Sequence, residues 1–232
     1  MVLFHYMCGR GVKAPDELLK PFKGFLQTDG YAVYNKIAKT RADKDIILVN
    51  CLAHARRKFS DALDSDRKRA EIAMLKFQQV YEVEREVREN NLNAEQRKNL
   101  RLEKSLPILN ELSERISKTA YECTPKSTLG KACLYGIKHW DNLLAYLHNG
   151  DLEIDNNLAE NAIRPIALGR KNYLFAGSHK GAQRAAMMYS FFATCKKNNV
   201  NPYKWLNKVL EVIPTYKVSK LADLLPGTLK LD

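Results

Sequence analysis

Two carboxylates in this chain stand where metal chemistry could be done. Asp29 follows the run Gly24-Phe25-Leu26-Gln27-Thr28 and precedes Gly30-Tyr31, which places it at the carboxyl end of a predicted strand. Ligand and metal sites in open α/β sheets collect at such ends. An Asp there also serves to cap the next helix, and the residues alone leave both roles open. Glu160 falls in the first turns of a helix predicted from about Asn156, with Asp155 as its N-cap and Asn156 or Asn157 able to replace it. The helix dipole favours an acid at that place whatever its purpose. What singles out Glu160 is the sequence beyond it. From Asn161 to Leu210, fifty positions, there is no Asp or Glu, while nine Lys or Arg occur: Arg164, Arg170, Lys171, Lys180, Arg184, Lys196, Lys197, Lys204 and Lys208. Carboxylates beside guanidinium and ammonium groups form the set that phosphodiester chemistry requires, a metal for the reacting oxygens and cations for a polyanionic backbone.

Other chemical readings are weaker. Cys51 and His54 lack the two further ligands that a closed zinc site needs at workable spacing, and three residues apart on a helix they need not aim at each other as a nucleophile and base. Cys51 reads as the end of a buried strand, and His54 as either facing the site or packing. Arg56, Arg57 and Lys58 form a basic helix face just after that strand, solvated by default and near Asp29 if the strands are neighbours. Trp140 sits on an apolar helical stripe, where an aromatic is ordinarily core. Gly177-Ser-His-Lys-Gly181 resembles a helix start able to cradle phosphate but lacks the Walker spacing.

These residues need elements to hold them. Residues 1–60 alternate strand-like runs (Val2–Met7, Gly24–Thr28, Asp45–Cys51) with short helical ones, an α/β pattern. From 61 to 150 the texture changes to long charged helices, one with Ile72, Leu75, Gln79, Val83 and Val87 near one face, one with a kink at Pro107, and one lining up Cys133, Ile137, Trp140, Leu144 and Leu147. This predicts an all-helical insertion. Residues 151–232 add the Glu160 helix, an apolar helix from about Gly181, and a last helix capped by Asn201 with Pro202 at its first position.

The totals agree with a globular chain. Of 232 residues, 45% are hydrophobic and 28% charged, which is outside the disordered range. A net charge of +12 favours a polyanionic partner, nucleic acid ahead of an anionic membrane. No run approaches the ~20 apolar residues of a membrane span, and Met1–Met7 lacks the features of a signal peptide. Five scattered cysteines without a CxxC pair fit reduced thiols in a cytoplasm.

Read together, the stretches GFLQTDGYAVYN, NCLAHARRKF, HWDNLLAYL, GDLEIDNNLAENAIRPIALGRKNYLFAGSHKGAQRAA and TCKKNNVNPYKWLNKVL resemble, in this order and over nearly the whole chain, the transposases of the bacterial insertion sequence 66 family. The resemblance implies an RNase H-like α/β core of the DDE group, interrupted by the helical insertion and followed by C-terminal helices. It implies DNA transposition by metal-dependent phosphodiester cleavage and strand transfer, with two Mg2+ or Mn2+ ions held by three acids. Asp29 matches the second acid and Glu160 the last, 131 positions apart. Cys51 and His54 match a Cys-x-x-His signature. The implied DNA contacts are His54, Arg56, Arg57, Lys58, Trp140, Arg164, Arg170, Lys171, Lys180 and Arg184. Double-stranded DNA at element ends and target is the implied partner, with a homo-oligomer on DNA, no membrane, and a cytoplasmic, nucleoid-associated location. The family's first acid lies on a strand upstream of the one that Val2–Met7 resembles. It has no counterpart in these residues, and Asp16 and Asp43 do not sit at a strand end beside Asp29. The expectation is therefore a partial core with a long unpaired edge on the Val2–Tyr6 strand, inactive by itself and prone to associate. The competing expectation is a non-catalytic DNA-binding remnant or regulator of the full-length enzyme, and a third is a helical interaction module whose charge is incidental.

Overall fold

A computed structural model of the chain describes residues 1–9, 11–41 and 45–229; Asp43 lies outside them. The chain divides into two compact units, one of residues 11–157 and one of residues 1–10 with 158–232.

The first unit is a mixed α/β body dominated by helices. After α1 (Lys13–Leu19) comes β1 (Gly24–Thr28), then α2 (Ala32–Thr40) and β2 (Ile46–Asn50). The strands pair in parallel, Gly24 opposite Ile46 and Thr28 opposite Asn50, so their carboxyl ends lie side by side, with α2 as the crossover that parallel pairing requires. On one side Ile37 of α2 packs with Ile46 and Leu48. On the other, Val49 joins a larger core with Leu52, Ala55 and Phe59 of α3 (Leu52–Ser60), Phe77 and Val80 of α4 (Arg67–Glu89), Leu109, Leu112 and Ile116 of α6 (Leu106–Glu122), and Leu129, Cys133 and Leu143 of α7 (Thr128–Leu144). The core thus takes members from both sides of residue 60.

The helical stripes differ from those the spacing predicts. In α4 the buried positions are Ala70, Ala73, Phe77, Val80, Val83, Glu84 and Val87, and Leu75 is 60% exposed. The large Phe77 sets the rotation, and Leu75 lies two residues off that face. In α7, Ile137 is exposed and Trp140 half-buried, because the inward row runs Leu129, Cys133, Gly136, His139, Leu143. Small Gly136 lets Ile116 of α6 come close: a Cβ there would stand 3.3 Å from its Cδ1. Pro107 lies in a helical run that continues from Ala94 to Glu122, two residues after a π-helical turn, so its missing N–H falls where the regular α ladder is already interrupted. A π-helical turn (Arg101–Ser105) joins α6 to the short α5 (Ala94–Leu100).

That π turn carries a buried ion pair. Arg101 and Glu84 have fully buried side chains, with Nε to Oε1 at 2.7 Å and Nη2 to Oε2 at 2.9 Å. The remaining guanidinium protons go to the carbonyls of Tyr146, Asn149 and Leu152. Arg97 adds bonds to Glu84, Glu153 and the Gly150 carbonyl. Burying charge is tolerated when its donors and acceptors are met, as all those of Arg101 are here, and the result is a firm hold on residues 146–153.

The second unit holds α8 (Asn157–Asn172), α9 (His179–Lys197) and α10 (Pro202–Val212), the last capped by Asn201 with Pro202 at its start, as the sequence predicts. Cys195, Trp205, Val209 and Leu224 form its small core. The run Val2–Tyr6 is not a strand of any sheet, which corrects the sequence reading. It lies beside α9 instead: Thr194 Oγ1 accepts from the Val2 N–H and donates to its carbonyl, and Ser190 Oγ accepts from the Phe4 N–H, its own proton shared between the Ala186 carbonyl at 2.8 Å and the Phe4 carbonyl at 3.4 Å. Hydroxyls of a helix thereby satisfy backbone groups that a ladder would otherwise satisfy.

Candidate functional site

Asp29 follows directly on β1, exposed, in a turn that leads into α2. Its Oδ1 accepts the Tyr31 N–H at 3.0 Å, so the carboxylate does shape the turn; α2 begins one residue later without a side-chain cap. Gly30 has φ +85, and a Cβ there would come within 2.8 Å of the Tyr135 hydroxyl. The turn accordingly needs glycine on both conformational and steric grounds.

Behind this turn lies a buried polar chain. Asn50, the last residue of β2 and fully buried, accepts from Thr28 Oγ1 at 3.4 Å and bonds through Nδ2 to His139 Nδ1 at 3.0 Å. Thr28 Oγ1 also accepts the Gly30 N–H. Tyr135 Oη donates to the Asp29 carbonyl at 3.3 Å, and burial pushes its hydroxyl up to about 12, so it stays a donor at neutral pH. Burial, with Lys138 next to it, lowers the pKa of His139, which keeps the ring neutral.

The α3 residues fall on two faces. Cys51, Leu52, Ala55 and Phe59 are buried, while Arg56, Arg57 and Lys58 are exposed. The Lys58 ammonium lies 5.8 Å from the Tyr135 ring centre, which brings one of the three toward the helix that touches the Asp29 turn. Cys51 is no nucleophile here: burial raises its thiol pKa, and its sulfur accepts the Asn156 N–H at 3.4 Å. His54 is half-buried on the same helix, and Trp140 packs half-buried against the core.

Cys51 belongs to a set of ties on residues 153–156. Gln27 Nε2 donates to the Glu153 carbonyl, the Leu52 N–H to the Ile154 carbonyl, and Tyr81 Oη to Asp155 Oδ2 at 3.0 Å. Asp155 Oδ1 accepts the Asn157 N–H, so this acid satisfies the start of α8, although from one position before the N-cap. Sequence reasoning missed these ties, along with Asn50, Tyr135, His139 and Arg101. Their partners lie 17 to 126 residues away in the chain, where local pattern carries no signal.

In the second unit Glu160 occupies the first turn of α8, as expected. Arg164 and Lys171 follow at four and eleven residues, within about 40° of it around an ideal helix, and Arg164, Arg170 and Lys171 are all exposed. No residue of α8 is buried, and residues 173–180 are exposed throughout. Lys180 and Arg184, one turn apart at the start of α9, are exposed too. Ser178 Oγ takes the Gly181 N–H as N-cap. The two acids are hard oxygen donors of the kind Mg2+ or Mn2+ accepts, but among the described residues no group of three His, Cys, Asp or Glu side chains could hold a metal. No helix among the described residues is long and apolar enough to cross a membrane.

A family model described as "Transposase IS66 family" matches residues 1–184, and one described as "IS66 C-terminal element" matches residues 190–226. The chain is 35% identical over 230 residues to the uncharacterized protein y4jD of Sinorhizobium fredii, covering 96% of this chain and 44% of that protein. It is 34% identical over 238 residues to y4hP of the same organism, covering 97% and 43%. The chain thus spans less than half the length of these relatives. No solved structure matches.

Proposed function

The chain belongs to the insertion sequence 66 family of transposases, and from that premise we propose that it is the part of a DNA transposase that presents two acids of an RNase H-like metal site and the adjoining DNA track. Residues 1–60 and 151–232 contribute to the catalytic core in this reading, and 61–150 form its helical insertion. Asp29 and Glu160 would hold divalent metal, Mg2+ or Mn2+. When bound, the ions supply activation of the attacking oxygen and stabilisation of the leaving one.

This chain's own residues bind and orient. Arg164, Arg170 and Lys171 of α8, with Lys180 and Arg184 of α9, are exposed cations in a stretch free of acids, suited to track phosphates. In the first unit His54, Arg56, Arg57, Lys58 and Trp140 would contact DNA, with Trp140 the least available because it packs against the core. The family's remaining acid has no counterpart among residues 1–232, so the chain by itself is not expected to cleave DNA. The observation that carries the reading is the exposed helix α8, whose single acid is the first-turn Glu160 and beyond which no acid follows until Glu211.

Manganese titration by calorimetry tests it, on this chain and on one extended to the length of its relatives, each with Asp29→Ala and Glu160→Ala. The expected result is tight binding only by the extended chain, abolished by both substitutions. Substitutions without effect would refute the metal assignment. DNA binding that persists without any metal dependence would favour the non-catalytic regulator instead.

A further inference from the structure

We propose that Asn50, His139 and Tyr135 are positioning residues for Asp29, through which helix α7 acts as a splint on the acid-bearing turn. The proposal rests on Asp29 being a metal ligand. It begins from an oddity of α7, whose other buried positions are Leu129, Gly130, Ala132, Cys133, Gly136 and Leu143, with His139 the one buried polar side chain.

An apolar residue would fill that place at no desolvation cost. His139 instead meets Asn50, and Asn50 meets Thr28, so three polar side chains are buried in a row at the ends of the two strands. Such a chain is tolerated only when each member is satisfied, and it then fixes orientation more sharply than packing can. Its last link is the Gly30 N–H on Thr28 Oγ1, inside the Asp29 turn. Tyr135, one turn before His139, closes the turn from outside by donating to the Asp29 carbonyl. The rings of Tyr135 and His139 lie 4.7 Å apart, so the two contacts move together with α7. Gly30 shows how closely the turn is clasped, since an added Cβ would meet both the Tyr135 hydroxyl at 2.8 Å and Asn50 Nδ2 at 3.5 Å. A carboxylate on an exposed turn would otherwise sample several orientations, and metal binding would have to order it.

The test is amide hydrogen exchange of Gly30 and Tyr31 in this chain, with Mn2+-induced line broadening at the same amides in the chain extended to the length of its relatives. His139→Leu and Asn50→Ala are expected to speed Gly30 exchange on the order of tenfold or more and to weaken the broadening. His139→Asn, which retains an acceptor near the position of Nδ1, should restore both. Leu143→Ala, a cavity on the same helix without a polar link, should lower the melting temperature and leave both readouts unchanged. Tyr135→Phe removes one hydroxyl without threatening the fold and should speed Tyr31 exchange. Unchanged exchange in folded His139→Leu and Tyr135→Phe would overturn the splint, as would loss in Leu143→Ala equal to that in His139→Leu. Manganese that leaves the wild-type turn unbroadened would sink the metal reading of Asp29 alone, and the exchange rates would still decide the splint.

Discussion

The two units treat charge in opposite ways. Residues 11–157 draw charge inward: Arg101 and Glu84 are fully buried, Arg97 nearly so, and the bonds they make run to backbone carbonyls, to Glu153 and to each other. Residues 158–232 turn charge outward, with no buried residue in α8 and every cation from Arg164 to Arg184 exposed. An ion used for architecture must be satisfied inside the chain, and an ion meant for a polyanion must be left for it. If the outward set meets DNA as proposed, the contrast divides scaffold from working surface.

Substitutions can press on this contrast. The largest effect is expected from Arg101→Ala, which leaves buried Glu84 with only its 3.3 Å contact to Arg97 and frees three carbonyls. We expect a loss of about 3–5 kcal/mol, read from urea unfolding monitored by circular dichroism. A loss under about 1 kcal/mol would mean the pair behaves like a surface one and would blur the distinction.

Next comes the outward set. Arg170→Ala with Lys171→Ala should leave stability within about 0.5 kcal/mol, yet weaken DNA binding and flatten the slope of log affinity against log salt by up to about 2. Fluorescence anisotropy across a salt series measures it. An unchanged slope removes both residues from the DNA contact.

His139 gives a smaller, pH-dependent effect. Its folded pKa is lowered, first by burial and then by Lys138, so protonation favours the unfolded chain. The associated stability is present above the ordinary histidine value near 6.5 and is lost as pH falls through the lower folded value. Melting temperature should therefore drop below about pH 6.5 more steeply in the wild type than in His139→Asn. Equal slopes would show that the ring is not held neutral.

The smallest expected effect is Thr194→Val, about 1 kcal/mol, from losing one hydroxyl that bonds the Val2 backbone at both N–H and carbonyl. It is measured by thermal melting, and no change would mean water replaces that contact.

Much of this was legible in the sequence wherever a local cause governs it. Strand β1 with Asp29 behind it, β2 ending within one residue of the expected Cys51, the Asn201-Pro202 start of α10 and the first-turn position of Glu160 all follow from caps, turn residues and apolar runs. The failures have a common reason. Which face of α4 and α7 turns inward depends on what packs there, so Leu75 and Ile137, apolar and correctly spaced, face outward. Arg101 reads as one charge in a charged helix until Glu84 and three carbonyls are brought around it. Asn50 and His139, 89 residues apart, have no relation along the chain that pattern could detect. Val2–Tyr6 has strand composition, and only the hydroxyls of α9 decide that it pairs with a helix.

That last arrangement sets two rulers against each other. The segment is gripped at every second residue, Val2 and Phe4, and the helix offers its hydroxyls at every fourth, Thr194 and Ser190. Two residues of extended chain advance about 6.6 Å, and four residues of α-helix about 6.0 Å. The two periods nearly coincide, and the discrepancy of about 0.6 Å accumulates with each step. Two matched hydroxyls fit within hydrogen-bond tolerance, and a longer row would drift out of phase. Tyr6, the next residue in the series, reaches His179 instead. A helix can therefore substitute for a neighbouring strand over a span of only a few residues, and this chain uses about that span.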